Sequence, residues 1–170
     1  AIEQWGLNAA LKRATGMFAF VMWDKKEQKL FLVRDRMGEK PLYYGWVDDV
    51  FVFASELKAI KSLDIFNNPV DRSSLALFLR FNSIPAPYSI YKGIYKLEPG
   101  CVLDISVESK EINQTRYWST ESKFEKETKT SFCTSEKVSV DHLENLLLKT
   151  IDEQMHADVS VGAFLSGGVD

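Results

Sequence analysis

The sequence closes on Ser166-Gly167-Gly168-Val169-Asp170, and these residue types suit an anion. Gly167 and Gly168 lack Cβ, so a phosphate can approach the backbone closely. Successive N–H groups there, with the N-terminus of a following helix, would form an anion nest, and the Ser166 hydroxyl adds a donor. Asp170 cannot itself favour an anion; its natural role is to hold Mg²⁺ against phosphates. Ser-Gly-Gly also occurs as a plain turn after a strand with no ligand, so both readings stay open at this point.

A phosphate loop of this kind needs an α/β frame. Val138 to Met155 reads as a helix with Leu143, Leu146, Leu147, Ile151 and Met155 on one face. Val159 to Leu165 reads as a short apolar strand, and the two together open an α/β unit with a parallel sheet. Ligands of such sheets sit beyond the carboxyl ends of the strands, where Ser166 to Asp170 falls.

Upstream, the pattern predicts a different architecture. Ile2 to Ala14 has helical spacing, ended by Gly16. Phe18 to Trp23, Leu30 to Val33, Leu42 to Trp46 and Val50 to Phe53 are four short aromatic-rich strands with tight connections, which points to an antiparallel sheet. The loop Asp24 to Gln28 lacks the glycine of a strong hairpin. Ser55 is placed to cap a helix from Glu56 to Leu63, and Asp71 to cap one from Arg72 to Phe81, with Leu75, Phe78 and Leu79 on one face. Ile84-Pro85-Ala86-Pro87 cannot be helical, and Leu97-Glu98-Pro99-Gly100 turns into a strand from Cys101 to Ile105. Residues 120–137 are rich in Ser, Thr, Lys and Glu and read as a linker holding the domain boundary.

Composition bounds the rest. With 170 residues, 45% hydrophobic and 26% charged, the chain is globular. Its longest apolar stretch, Gly16 to Trp23, falls far short of the roughly 20 residues of a membrane span. A formal charge of -3 offers no basic excess for nucleic acid. Cys101 and Cys133 cannot build a disulfide framework, and the first residues lack a signal-peptide pattern, so a reducing, cytoplasmic setting is expected. Both ends look cut, and an internal fragment of a longer protein is expected.

Several blocks now carry a resemblance. Ser166 to Asp170 resembles the pyrophosphate loop of N-type ATP pyrophosphatases. Gly16-Met17-Phe18-Ala19-Phe20, the run from Arg34 to Tyr44, Phe53 to Ala59, Ile84 to Ile94, Leu97 to Gly100 and Tyr117-Trp118 are similar, in order, to the glutamine-hydrolysing asparagine synthetase family. The resemblance implies an α+β first part, half of an N-terminal-nucleophile amidotransferase αββα sandwich. The start of an α/β parallel-sheet ATP pyrophosphatase domain would follow it. It assigns residues 1–119 to the glutaminase, 120–137 to the linker and 138–170 to the truncated synthetase. It implies ATP and Mg²⁺ as cofactors, with glutamine and aspartate as substrates, no nucleic acid and no membrane, and it allows a homodimer.

By the same resemblance, Asp35 would hold the glutamine α-ammonium. Ser166, Gly167, Gly168 and Asp170 would cradle pyrophosphate with Mg²⁺, the metal reached by Asp170 through the ATP phosphates. Phe164 and Leu165 would lie against adenine, with plain strand core as their other reading. The family's nucleophile is an N-terminal cysteine; Ala1 is not that residue, and Cys101 and Cys133 have no free amine, so this polypeptide alone is expected to be inactive. Thr15 and Ser160 depart from the family's usual Asn and Pro.

Position alone favours ion pairs and caps for Arg34, Asp35 and Glu56, solvent for Arg36, Lys40 and His142, a structural place for His156, and core or domain packing for Trp5, Trp23, Trp46 and Trp118. Other acceptors remain open: a β-lactam synthetase, a peptide cyclase, a sugar-acid amidotransferase, or a non-catalytic interaction module on the same sheet.

Overall fold

The computed structural model describes residues 1–106, 108–121, 135–164 and 166–167. The chain divides into two units, Ala1–Glu127 and Thr128–Asp170.

Two antiparallel sheets make the first unit. One has the order β1-β2-β6-β7, from Ala19–Asp24 (β1), Lys29–Arg34 (β2), Cys101–Ser106 (β6) and Ile112–Arg116 (β7). The other has the order β4-β3-β5, from Tyr43–Val47 (β3), Val50–Ala54 (β4) and Ile94–Lys96 (β5). Side chains alternate faces along a strand, and this alternation builds the layers. Leu32 of β2 pairs with Leu103 of β6 in register. Both join Leu42, Tyr44, Leu97 and Cys101 in one buried cluster, with Phe51 packed against it. That cluster draws on both sheets, so they face each other across it.

The neighbouring positions turn outward. Val33 and Val102 pack on Leu11 of the helix Leu7–Arg13 (α2). On the far side of the second sheet, Val47, Val52 and Ile94 pack on Ile60 of the helix Leu57–Lys61 (α3). The layers therefore run helix, sheet, sheet, helix, and the expected antiparallel α+β part is present.

Local differences from the sequence reading have physical causes. The predicted first helix breaks at Gly6, whose φ is 76°, into Ile2–Trp5 (α1) and α2. Trp5, expected in core or domain packing, is 42% exposed and stacks under the Arg13 guanidinium 4.2 Å from its ring centre. Trp23 is exposed as well. Glu56, not Ser55, stands before α3, and no side chain caps it. The glycine-free β1–β2 loop closes because Asp24 Oδ1 accepts from the amides of Lys26 and Glu27, at 2.8 and 3.1 Å, while Gln28 takes φ 49°. Strand β7 carries no apolar alternation; it forms along the edge of β6, from Cys101 opposite Arg116 to Ile105 opposite Ile112.

The helix Arg72–Phe81 (α4) is capped as its sequence predicts. The Asp71 side chain accepts from the Ser73 amide at 3.1 Å and the Ser74 hydroxyl at 2.9 Å, and Asn82 ends the helix at φ 54°. Its stripe of Leu75, Phe78 and Leu79 is exposed.

In the second unit the helix Glu136–Gln154 (α5) starts two positions before the predicted Val138. Leu143, Leu146, Leu147 and Ile151 on it are exposed. Residues 159–164, predicted as the first strand of a parallel sheet, carry no strand. A strand exists by pairing its N–H and C=O groups with a neighbour, and among the described residues of this unit none pairs with it.

Candidate functional site

Strand β2 ends in Arg34 and delivers Asp35 immediately after it; the two are 7% and 1% exposed. Burying two charges is costly unless each is fully hydrogen-bonded. Here each charge uses the main chain of one loop, residues 36–40. The Asp35 carboxylate takes the amides: Oδ1 accepts from Glu39 at 2.9 Å, and Oδ2 from Lys40 at 2.9 Å and Phe18 at 3.3 Å. The Arg34 guanidinium takes the carbonyls: Nε donates to Lys40 at 2.9 Å, Nη1 to Leu97 and Nη2 to Gly38. These bonds are charge-assisted and correspondingly strong.

The backbone of the same dipeptide is held too. The Asp35 amide donates to Phe18, and its carbonyl accepts from Gly38 and Gly100 at 3.1 and 2.8 Å. The Tyr117 hydroxyl donates to the Arg34 carbonyl at 2.9 Å. Burial pushes the Tyr117 phenol up to about 12, helped by the Asp35 charge. Burial also lowers the Arg34 guanidinium, with Asp35 opposing that shift.

Two glycines make this packing feasible. Gly38 has φ 71°, and a Cβ there would come within 2.8 Å of Pro99 Cγ and 3.0 Å of Arg34 Cζ. Gly100 has φ 64°, and a Cβ would stand 2.3 Å from the Trp118 carbonyl oxygen. The blocks 16–20, 34–44, 97–100 and 117–118, dispersed in sequence, thus meet in one hydrogen-bonded knot. Lys96 ties the 84–94 block nearby: its Nζ donates to Ile84 at 2.8 Å and its amide to Pro87 at 2.9 Å. Burial lowers the Lys96 ammonium, and the Arg34 charge lowers it further.

The remaining sequence candidates lie apart from this knot or do other work. Arg36 donates through Nη2 to the Lys12 carbonyl at 2.9 Å, tying the loop to the end of α2. Glu56 pairs with Lys58 at 2.6 Å on the surface. Lys40 has its main chain in the knot and an exposed side chain, and His142 and His156 are exposed. Cys101 is fully buried, and burial raises its thiol, which suits packing and not nucleophilic attack. At the C-terminal loop Phe164 is fully exposed. Gly167 has φ 75°, and among the described residues nothing lies within 4 Å of where a Cβ would stand. Leu165, Gly168 and Asp170, like Cys133, lie outside the described residues. Sequence reasoning missed Tyr117 and Gly38 as parts of the site, although both stand inside the quoted blocks. It missed Lys96, which no block contains.

Comparison with known proteins gives the family. A family model described as "Glutamine amidotransferase domain" matches residues 1–118, and one described as "Asparagine synthase" matches residues 142–170. Putative asparagine synthetase (glutamine-hydrolyzing) 2 of Methanocaldococcus jannaschii is 36% identical over 162 residues, which is 94% of this chain and 30% of that protein. Asparagine synthetase (glutamine-hydrolyzing) 3 of Bacillus subtilis is 36% identical over 156 residues, 91% of this chain and 24% of that protein. A putative asparagine synthetase (glutamine-hydrolyzing) of Mycobacterium bovis is 33% identical over 173 residues, 99% of this chain and 26% of that protein. The chain thus spans about a quarter to a third of the length of these curated relatives.

The chain belongs to the glutamine amidotransferase domain family. Within that class, the second family match and the named relatives make it a member of the asparagine synthetase family.

Proposed function

We propose that the polypeptide this chain belongs to is a glutamine-dependent asparagine synthetase. Residues 1–119 contribute to its glutaminase, 120–137 form the linker and 138–170 begin its synthetase. The observation that carries the reading is the convergence of four dispersed blocks on Arg34 and Asp35, inside the helix–sheet–sheet–helix frame that the amidotransferase match covers. The asparagine synthase match from residue 142 supports the second half.

In this reading the glutaminase hydrolyses glutamine to glutamate and ammonia, and the Arg34–Asp35 knot belongs to the glutamine-binding side. The synthetase transfers AMP from ATP to the aspartate side-chain carboxylate and releases pyrophosphate. Ammonia then displaces AMP to give asparagine. A carboxylate is a poor electrophile, so adenylation supplies the leaving group, and the developing phosphate charge needs N–H donors and a cation. Ser166, Gly167 and Gly168 would provide the donors and Asp170 would hold Mg²⁺, whose part is to neutralise the phosphates; the φ of 75° at Gly167, which glycine adopts freely, supports that use. Phe164 and Leu165 would flank the adenine. Among the described residues the cysteine, Cys101, is a buried free thiol, which suits the reducing cytoplasm we propose for it.

The test is product analysis of the full-length protein given ATP, aspartate and glutamine. AMP and pyrophosphate with asparagine are expected; ADP and phosphate would refute the assignment. Asp170→Asn in the same protein should abolish synthesis and spare glutamine hydrolysis.

A further inference from the structure

We propose that the first unit carries a further binding site, for a small aromatic carboxylate, at the end of the sandwich away from the Arg34–Asp35 knot. It is independent of the synthetase reading. The site is made by one rung of each sheet. In the first sheet Trp23 pairs with Leu30, and Leu30 with Ile105. In the second, Trp46 pairs with Phe51. Trp23, Leu30, Ile105 and Trp46 lie two residues from Val21, Leu32, Leu103 and Tyr44 of the inter-sheet cluster, and Phe51 packs on it. By strand alternation all five face inward. Facing sheets normally interdigitate and leave few voids larger than a water molecule. Here the two rungs stay apart and border a pocket of about 370 Å³. That size suits a small-molecule site, as does a wall of aromatic and aliphatic side chains with few polar groups. Along β2 the rung at Leu30 is roughly 13 Å from Arg34.

The mouth of the pocket carries a cation. Lys110 sits in the β6–β7 turn at φ 55°, its amide donating to the Ser106 carbonyl at 2.9 Å. From there its Nζ lies 5.1 Å from the Trp46 ring centre and 3.3 Å from Asp49 Oδ1 in the β3–β4 turn. The Asp49 side chain is 97% exposed, so this ion pair is of the weak, solvated kind. A ligand ring that enters beside the indoles finds edges and faces of the kind aromatic pairs prefer. Its carboxylate then meets Lys110 Nζ, leaves the ammonium over Trp46, and displaces only Asp49, which returns to water. A ligand amine would instead have to reach Asp49 against the Lys110 charge. Ring and negative charge are therefore both specified.

The test is fluorine NMR of para-fluorophenylpropionate titrated with the full-length protein. Phenylpropionate, propionate and phenethylamine serve as competitors. Saturable binding with a Kd on the order of 1 mM or tighter is expected for so small a ligand, displaced by phenylpropionate. Propionate lacks the ring and phenethylamine reverses the charge, and each should compete ~10-fold or more less well. Lys110→Met keeps the apolar stem at Trp46 but removes the charge, and should weaken binding ~5-fold. Asp49→Asn removes the rival carboxylate and should tighten it ~2-fold. Both side chains are exposed, so the two variants should fold as the parent does, which circular dichroism checks.

Opposite shifts in the two variants are what partition onto any other apolar surface would not produce. Absence of saturation would overturn the proposal, as would phenethylamine competing as well as phenylpropionate. An unchanged Kd in both variants would place the ligand elsewhere and overturn it too. Weaker binding in Asp49→Asn would do the same, because Asp49 would then be a partner of the ligand and not its rival.

Discussion

The inter-sheet core of the first unit and the helix of the second handle apolar surface in opposite ways. In the first, Leu32, Leu97 and Leu103 are sealed between sheets, and even a guanidinium and a carboxylate are enclosed because backbone groups meet them on every side. In the second, α5 repeats leucines at helical spacing, yet Leu143, Leu146 and Leu147 are exposed. Periodicity therefore specifies that a helix forms, and says nothing of whether a partner for its stripe is at hand.

The strongest way to break this contrast is to shorten a sealed leucine. Leu103→Ala should destabilise the chain by about 3 kcal/mol in urea unfolding, the lost burial plus the cavity left behind. If it costs less than a surface truncation, the inter-sheet cluster is not the core. Gly100→Ala comes next. It forces a Cβ toward the Trp118 carbonyl from a left-handed backbone, and about 2 kcal/mol is expected in the same experiment.

Two titrations sharpen the comparison. Tyr117 has its folded pKa raised to about 12 from an ordinary value of 10. A raised pKa means that the folded state keeps the proton longer than the unfolded state. Its contribution is complete below the ordinary value and is lost as pH rises through the folded one. Tyr117→Phe should flatten the alkaline fall in stability between those values, and ultraviolet titration should lose one late-ionising phenol. At Asp71 the sign reverses. The Ser74 hydroxyl and then the Ser73 amide lower its pKa, so its contribution is present above the ordinary carboxylate value and disappears as pH falls through the folded one. Asp71→Asn should make the acid limb of the stability curve shallower, read by circular dichroism below about pH 4.

The smallest expected effect completes the pair with Leu103. Leu147→Ala, at an exposed site of α5, should change the stability of the 170-residue chain by no more than about 0.5 kcal/mol. A loss as large as that at Leu103 would show that the stripe is covered after all.

The legible parts of this fold are those set by nearest neighbours in sequence. Asp71 caps α4 because its side chain reaches amides two and three residues on, and β1 to β4 declare themselves by aromatic and β-branched runs. Strand β7 was hidden, because Ile112-Asn113-Gln114-Thr115-Arg116 shows no alternation and becomes a strand only by borrowing the edge of β6. Residues 159–164 show the converse: a strand-like composition with no strand to pair with among the described residues of that unit. For the site, the blocks around Arg34 and Asp35 could be read in a line, but their meeting could not. Nothing local in Tyr117 or Lys96 says that one will hold the Arg34 carbonyl and the other will tie down Ile84.

The knot also orders events in time. Arg34 reaches Leu97 across 63 residues, and Tyr117 reaches back to Arg34 across 83. Closing such spans requires chain entropy to be surrendered before the contacts return anything. On a ribosome the guanidinium must therefore stay hydrated, with its carbonyl acceptors incomplete, until nearly the whole first unit has emerged. Tyr117, close to the end of that unit, arrives later still and fastens the Arg34 carbonyl behind the already satisfied cation.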